Sequence, residues 1–229
     1  MSRLDHIKNI SGLVEWYGES KELQKYANLF VVAGFIEESL SSDDEEKEQI
    51  RKIHALIKKY NLNGHFRWVE KQSYKNFNGE LYRYIADKKG IFVQPALFEA
   101  FGLTVIEAMS SGLPTFATQN GGPLEIIRHG DSGFHIDPDH GQISTPIILE
   151  FFKKCKKDPD YWKQISQGGI RRVQERFTWE LYASRLITLS KIYGFWKYVS
   201  NLERDETKRY LEMFYGLMYR KLVDEYCDN

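Results

Sequence analysis

Gln94-Pro-Ala-Leu-Phe-Glu-Ala-Phe-Gly-Leu-Thr-Val-Ile-Glu-Ala-Met109 is the stretch around which the chain is organised. Immediately before it, Gly90-Ile-Phe-Val-Gln94 is short, apolar, β-branched or aromatic, and closed by Pro95, which predicts a buried strand. A loop follows, and from about Leu103 the spacing of Val105, Ile106, Ala108 and Met109 predicts a helix entering a core. Glu99 falls in the loop and Glu107 in the second turn of the helix, eight positions apart. Between them Gly102 permits close backbone approach, and the N–H groups of Gly102, Leu103 and Thr104 crown the helix N-terminus, where anions and phosphate above all are attracted. A carboxylate before such an end and another beneath it suit a ligand that carries both hydroxyls and phosphates, as a nucleotide sugar does. Glu107 taken alone also reads as a surface helix residue.

At 229 residues the chain is long enough for one large domain, or one domain with an appendage. Lys plus Arg and Asp plus Glu each number 32, so the formal charge is zero and nothing argues for a nucleic-acid partner. No apolar run approaches the ~20 residues of a bilayer span, and no signal-peptide pattern opens the chain. The two cysteines, Cys155 and Cys227, have no close pairing and fit a reducing, cytoplasmic setting. No histidines stand at short spacing from them to complete a metal site.

Outward from the central stretch, strands and helices alternate. Leu29–Ala33, His65–Val69, Pro114–Thr118 and Gly133–Ile136 read as further strands. Leu4, Ile7, Ile10, Leu13, Val14 and Tyr17 predict a helix over about 5–17, with Arg3 and Lys8 in its approach and first turns. Cations are unexpected there, since the helix dipole prefers carboxylates. They are either solvated or turned toward an anion shared with the Gly102 helix end. Residues 41–48 read as a serine-capped helix start with solvated acids, continued by Ile50, Ile53, Leu56 and Ile57. Gln72 and Asn78 flank the loop before the next helix, and each amide either caps backbone or reads the edge of a base. Asn120-Gly-Gly-Pro123 is a tight turn into a helix with Pro123 first. Helical periodicity then runs over 147–155, 161–173, 181–193 and 202–222. The alternation predicts an α/β fold: a Rossmann-like parallel sheet with helices on both faces, and a helical C-terminal tail. Ligands of such sheets bind beyond the carboxyl ends of the strands, where these loops lie.

Other chemistries are poorly supported. Gly-x-Ser-x-Gly, Gly-x-Gly-x-x-Gly after a strand, and Gly-x-x-x-x-Gly-Lys-Ser/Thr are all absent. Asp137-Pro-Asp139 and Asp158-Pro-Asp160 look like a proline turn and a helix cap, although an Asp-x-Asp metal motif has the same spacing. The six histidines are scattered.

The Glu-(seven residues)-Glu pattern within Phe98–Met109 resembles the donor motif of retaining glycosyltransferases with the GT-B fold, in which two Rossmann-like domains face each other across a cleft. Arg3-Leu-Asp with Ile7-Lys-Asn9, Gly12-Leu-Val-Glu-Trp-Tyr-Gly18, Asn78-Gly-Glu-Leu-Tyr-Arg-Tyr-Ile85, Gly121-Gly-Pro-Leu-Glu-Ile-Ile127, Ser132-Gly-Phe-His-Ile-Asp-Pro138 and Tyr193-Gly-Phe-Trp-Lys-Tyr-Val-Ser-Asn-Leu202 resemble, more narrowly, the C-terminal domain of the sucrose synthase family. The aromatic tail with Tyr210-Leu-Glu-Met-Phe-Tyr-Gly216 favours that family over sucrose-phosphate synthases.

The resemblance implies a UDP- or UDP-glucose-binding domain over 1–194 and a helical extension over 195–229. It implies reversible glucosyl transfer among sucrose, UDP, UDP-glucose and fructose, with retention. Arg3 and Lys8 are expected to grip the diphosphate, Glu99 to hold glucosyl hydroxyls, and Gly102, Leu103 and Thr104 to present backbone N–H groups. Glu107 is expected to accept the ribose hydroxyls, and Gln72 and Asn78 to meet the uridine. No metal or other cofactor is expected. Two departures stand out: the family's acceptor domain and the apolar strand ahead of Arg3 are missing, so Arg3 is expected to lack a rigid mount and the chain alone to transfer no sugar. A donor domain of another retaining glycosyltransferase, and a non-catalytic nucleotide-binding or assembly module with an oligomerising tail, are the competing readings.

Overall fold

The computed structural model describes residues 3–70, 75–199 and 204–220. Met1–Phe177 is one compact unit and Thr178–Asn229 a second. The first unit carries β1 Leu29–Val32, β2 Phe66–Val69, β3 Phe92–Gln94, β4 Thr115–Thr118 and β5 Phe134–Ile136. Every pairing is parallel: β1 lies on β2 with Leu29 opposite Phe66, and β4 lies between β3 and β5 with Phe92 opposite Thr115 and Phe116 opposite Phe134. The strands thus fall into a two-stranded and a three-stranded sheet. Parallel neighbours need crossovers. α2 Asp44–Tyr60 joins β1 to β2, α3 Lys75–Asp87 leads to β3, α4 Leu103–Ser110 joins β3 to β4, and α5 Pro123–Ile126 joins β4 to β5. α1 Ile10–Glu19 precedes them, and α6 Gly141–Lys157 and α7 Pro159–Arg176 follow. The α/β class read from the alternation holds.

All four residues of β4 are buried, as a strand covered on both faces requires. Phe116 stacks on Phe134 at 4.7 Å, and Phe151 of α6 meets Phe116 edge-on at 5.4 Å. Ile50 and Ile53 of α2 and Val14 and Tyr17 of α1 complete this core.

Local chemistry overrides periodicity in several places. α1 begins at Ile10, not near residue 5, because Asn9 takes a left-handed φ of 51° while its side-chain amide donates to Pro138 O at 2.9 Å. Residues 5–8 turn instead, with Lys8 N donating to Asp5 Oδ1 at 2.9 Å. Lys8 therefore lies just ahead of the helix, still at the positive end of its dipole, where the Glu99 carboxylate at 2.8 Å supplies the opposing charge. The cap of α2 is Asp43, whose side chain accepts from Glu45 N, and not a serine. Of its acids only Glu46 is half-buried, accepting from Ser41 Oγ at 2.6 Å; Glu45 stays exposed and accepts from His6 N at 2.8 Å.

That last bond, with Leu4 only 2 % exposed in the core and Leu97 N donating to Ile7 O at 2.8 Å, fastens the segment around Lys8. The expected lack of a mount is thereby corrected. The second unit holds α8 Trp179–Val199 and α9 Arg204–Phe214, with a wider π turn over Tyr215–Tyr219. Trp196 meets Tyr210 and Phe214 edge-to-face at 5.6 and 5.7 Å, while Leu189, Tyr193 and Leu217 stand exposed. Among the described residues no helix is long and apolar enough to cross a membrane.

Candidate functional site

The site grows from the end of β3. Gln94 is its last residue, and Pro95 ends the ladder by removing a donor. The loop that follows is tied on two sides. Leu97 N reaches the N-terminal segment at Ile7 O, and Asn120 Nδ2 donates to Leu97 O at 2.9 Å. Glu99 N donates to Asn120 O at 3.1 Å, and Gly122 N to Glu99 O at 2.8 Å. This contact needs glycine: a Cβ on Gly121 would meet Glu99 O at 2.2 Å, and one on Gly122 would meet Phe101 O at 2.1 Å. The turn after β4 thus clamps the loop after β3, and the clamp fixes Glu99.

Within that frame Lys8 Nζ donates to Glu99 Oε2 at 2.8 Å, and Gln94 Nε2 donates to the same oxygen at 2.7 Å. Neither bond engages Oε1. The Lys8 and Glu99 side chains are 23 % and 17 % exposed, so the pair is partly desolvated and only partly screened. Both residues line a cleft of about 290 Å³ together with Gln94, Gly102, Leu103 and Thr104. Gly102 caps α4 with φ 101° and no side-chain bond. Gly102 O accepts from Val105 N and Ile106 N, whereas no acceptor among the described residues meets the N–H groups of Gly102, Leu103 or Thr104. The cleft therefore joins an open helix N-terminus, a cation and a carboxylate.

The structure thus brings together Lys8, Glu99, Gly102, Leu103 and Thr104. Arg3 sits five residues before Lys8 with a side chain 77 % exposed, and its Nε lies 3.4 Å from Asp5 Oδ2. Glu107 is exposed on α4, one turn below Leu103, and does not line the cleft. It belongs to a second polar spot where α3 meets α4. There Tyr82 is 4 % exposed, and neither its hydroxyl nor the buried Asn78 Oδ1, one turn earlier, has a hydrogen-bond partner among the described residues. Burial, and then the charge of Glu107, hold the Tyr82 phenol well above its usual pKa. Gln72 lies outside the described residues. Sequence reasoning missed the part played by Gln94. The signal was present: an amide ending an otherwise apolar strand is a polar group placed at the ligand end of a parallel sheet. Among the described residues no group of three or more His, Cys, Asp or Glu side chains is placed to hold a metal ion.

The family model described as "Glycosyl transferases group 1" matches residues 1–167. The chain belongs to this family. Among curated relatives of this group 1 glycosyl transferase chain, the sucrose synthase of Denitrovibrio acetiphilus is 60 % identical and sucrose synthase 2 of Pisum sativum 59 % identical, each over 224 residues. Each alignment covers 98 % of this chain and 28 % of the relative, so the chain spans little more than a quarter of their length. Among solved structures, the sucrose-phosphate synthase of Thermosynechococcus elongatus superposes with a TM-score of 0.64 at 23 % identity, over 84 % of this chain and 44 % of that one. Anabaena Alr3699/HepE, solved in complex with UDP, gives 0.65 at 18 % identity, over 83 % and 48 %. At such identities the likeness speaks for the fold, shared by this group 1 glycosyl transferase chain with somewhat under half of each neighbour.

Proposed function

We propose that this chain is the donor-binding domain of a sucrose synthase, the part that holds UDP or UDP-glucose while glucose passes reversibly between UDP and fructose with retention at the anomeric carbon. The observation that carries the reading is one cleft shared by Lys8, Glu99 and the open N-terminus of α4. The diphosphate takes the amides of Gly102, Leu103 and Thr104 and draws the Lys8 ammonium, which in the free chain is satisfied by Glu99. Glu99 is then left to accept hydroxyls of the glucosyl group. As the glycosidic bond breaks, negative charge grows on the departing diphosphate. A cation and a helix end already aimed at it in a partly dry cleft stabilise that charge without reorganising. Arg3, on the same anchored segment, adds a second cation. Glu107, Asn78 and Gln72 are assigned to the ribose and uridine, a role supported for Asn78 by its buried oxygen, which has no partner among the described residues.

The names of the relatives at 60 % and 59 % identity favour sucrose synthase over other retaining transferases. Transfer also needs an acceptor subsite, so the proposal for this chain is donor binding, with fructose held by a further domain. Because two cations and a helix end supply the charge that a divalent metal would, nucleotide binding is expected to persist in EDTA. A cytoplasmic setting fits Cys155, a free thiol whose pKa burial pushes up to about 11. Homo-oligomerisation through the apolar tail is part of the reading, and light scattering reads it. Calorimetric titration with UDP tests the whole. Lys8→Ala should weaken binding by about 10- to 100-fold, the range of a charge-assisted hydrogen bond. Unchanged affinity would contradict the proposal.

A further inference from the structure

We infer that Gln94 selects the glycosyl group: its amide nitrogen holds Glu99 in place, and its amide oxygen accepts a hydroxyl of the bound sugar. The inference rests on the donor-binding reading above and deepens it.

Gln94 is 7 % exposed and lines the cleft from the end of β3. Its Nε2 donates to Glu99 Oε2 at 2.7 Å, which assigns the orientation of the amide, since a flipped amide would set its oxygen against a carboxylate oxygen. Oε1 is thereby left buried, with no hydrogen-bond partner among the described residues. Buried amide oxygens in native proteins are almost always bonded, and one that lines a cleft is placed for a donor that a ligand brings. The chemistry narrows that donor. A diphosphate offers only acceptors, and it has Lys8 and the α4 amides. A sugar offers hydroxyls.

Gln94 Oε1 and the Oε1 of Glu99, which neither Lys8 nor Gln94 engages, are two acceptors on neighbouring side chains, suited to two adjacent hydroxyls of a hexose. A side chain serving only as a prop for Glu99 would need the donor and would gain nothing from a buried, unpaired acceptor. Gln94 acts on the sugar in two ways, through Glu99 and directly. In the first it is a positioning residue.

The test is calorimetry on the full chain with three probes: UDP, UDP-glucose, and UDP-glucose analogues deoxygenated at one glucosyl position at a time. Gln94→Leu should lower UDP-glucose affinity about tenfold, the scale of one net hydrogen bond, and leave UDP affinity within about twofold. One deoxy analogue should bind the wild type about tenfold more weakly than UDP-glucose and lose nothing further against Gln94→Leu, the non-additive result expected of two groups in contact. Thermal unfolding checks that the variant is folded. If it is not, Gln94→Met, of equal length and with only a weak thioether acceptor in place of the amide oxygen, takes its place with the same expectations. Equal weakening of UDP and UDP-glucose would overturn the inference, as would additive losses for every deoxy analogue. Wild-type chain that binds neither UDP nor UDP-glucose would instead sink the donor-site reading itself, before any Gln94 variant is made.

Discussion

Replacing Gly121 by alanine strikes the clamp that fixes Glu99. The backbone at Gly121 has φ +100°, and a Cβ there would lie 2.2 Å from Glu99 O and 3.0 Å from Glu99 C, both main-chain atoms that no rotamer change can move aside. Turn and loop must part by about 1 Å to reach ordinary contact. That opening takes the 2.8 Å bond from Gly122 N to Glu99 O, and the 3.1 Å bond from Glu99 N to Asn120 O, out of hydrogen-bond range. Each lost bond costs about 1 kcal/mol net. The left-handed backbone adds about 1 kcal/mol for an alanine. The sum, about 3 kcal/mol, corresponds to a fall in melting temperature of about 6–12 °C for a unit of this size.

Gly130→Ala is the control, because its φ is +81° but nothing lies within 4 Å of a Cβ there. It should cost only about 1 kcal/mol, the backbone term alone. Thermal melts of the two variants, each followed by UDP-glucose titration, separate clash from conformation. Gly121→Ala should also lose UDP-glucose affinity, since Glu99 is carried away from Lys8 and Gln94, whereas Gly130→Ala should keep it. Equal melting temperatures, or a Gly121→Ala chain that binds UDP-glucose as the wild type does, would refute the clamp.

Tyr82→Phe removes a buried hydroxyl that has no partner among the described residues, so urea unfolding should show stability unchanged or raised by up to about 1 kcal/mol. A loss of more than that would mean that the hydroxyl is bonded in the folded state. His135 gives a pH dependence. Burial lowers its folded pKa, the nearby His129 lowers it further, and the Pro123 carbonyl opposes both. The unfolded imidazole ionises near pH ~6.5, so on acidification below that value the unfolded chain takes up the proton first. Stability fully present above pH ~6.5 is then lost as pH falls toward the folded pKa. His135→Gln should flatten the stability profile below about pH 6.5, and an unchanged slope would contradict the assignment.

What the chain shows by itself is uneven. The strand ending at Gln94 and the helix from Leu103 were legible because each is written in a local pattern, an apolar β-branched run and a repeat near 3.6. That Glu99 and the Gly102–Thr104 amides share one loop and helix end is legible because strand–loop–helix geometry is local as well, whereas the approach of Lys8 to Glu99 spans 91 positions and is not. Asn9 was not legible: its left-handed turn depends on a bond to Pro138, 129 positions away. The bond from His6 N to Glu45, 39 positions away, likewise depends on the tertiary fold, and the partial burial of Glu46 on the loop before α2. The clamp of Gly121 and Gly122 on the Glu99 loop is a contact between two crossovers, which no window of sequence contains. Gln94 is not legible from the strand pattern, because its role comes from standing at the ligand end of the sheet, next to the Glu99 carboxylate.

On the donor-binding proposal the open N-terminus of α4, with Lys8 beside it, receives a diphosphate. A crystal of the chain grown with UDP tests this most directly. Diphosphate oxygens should lie within hydrogen-bond distance of the Gly102, Leu103 and Thr104 amides and of Lys8 Nζ. A nucleotide seated elsewhere, with Lys8 still bonded to Glu99 and those amides facing solvent, would contradict it.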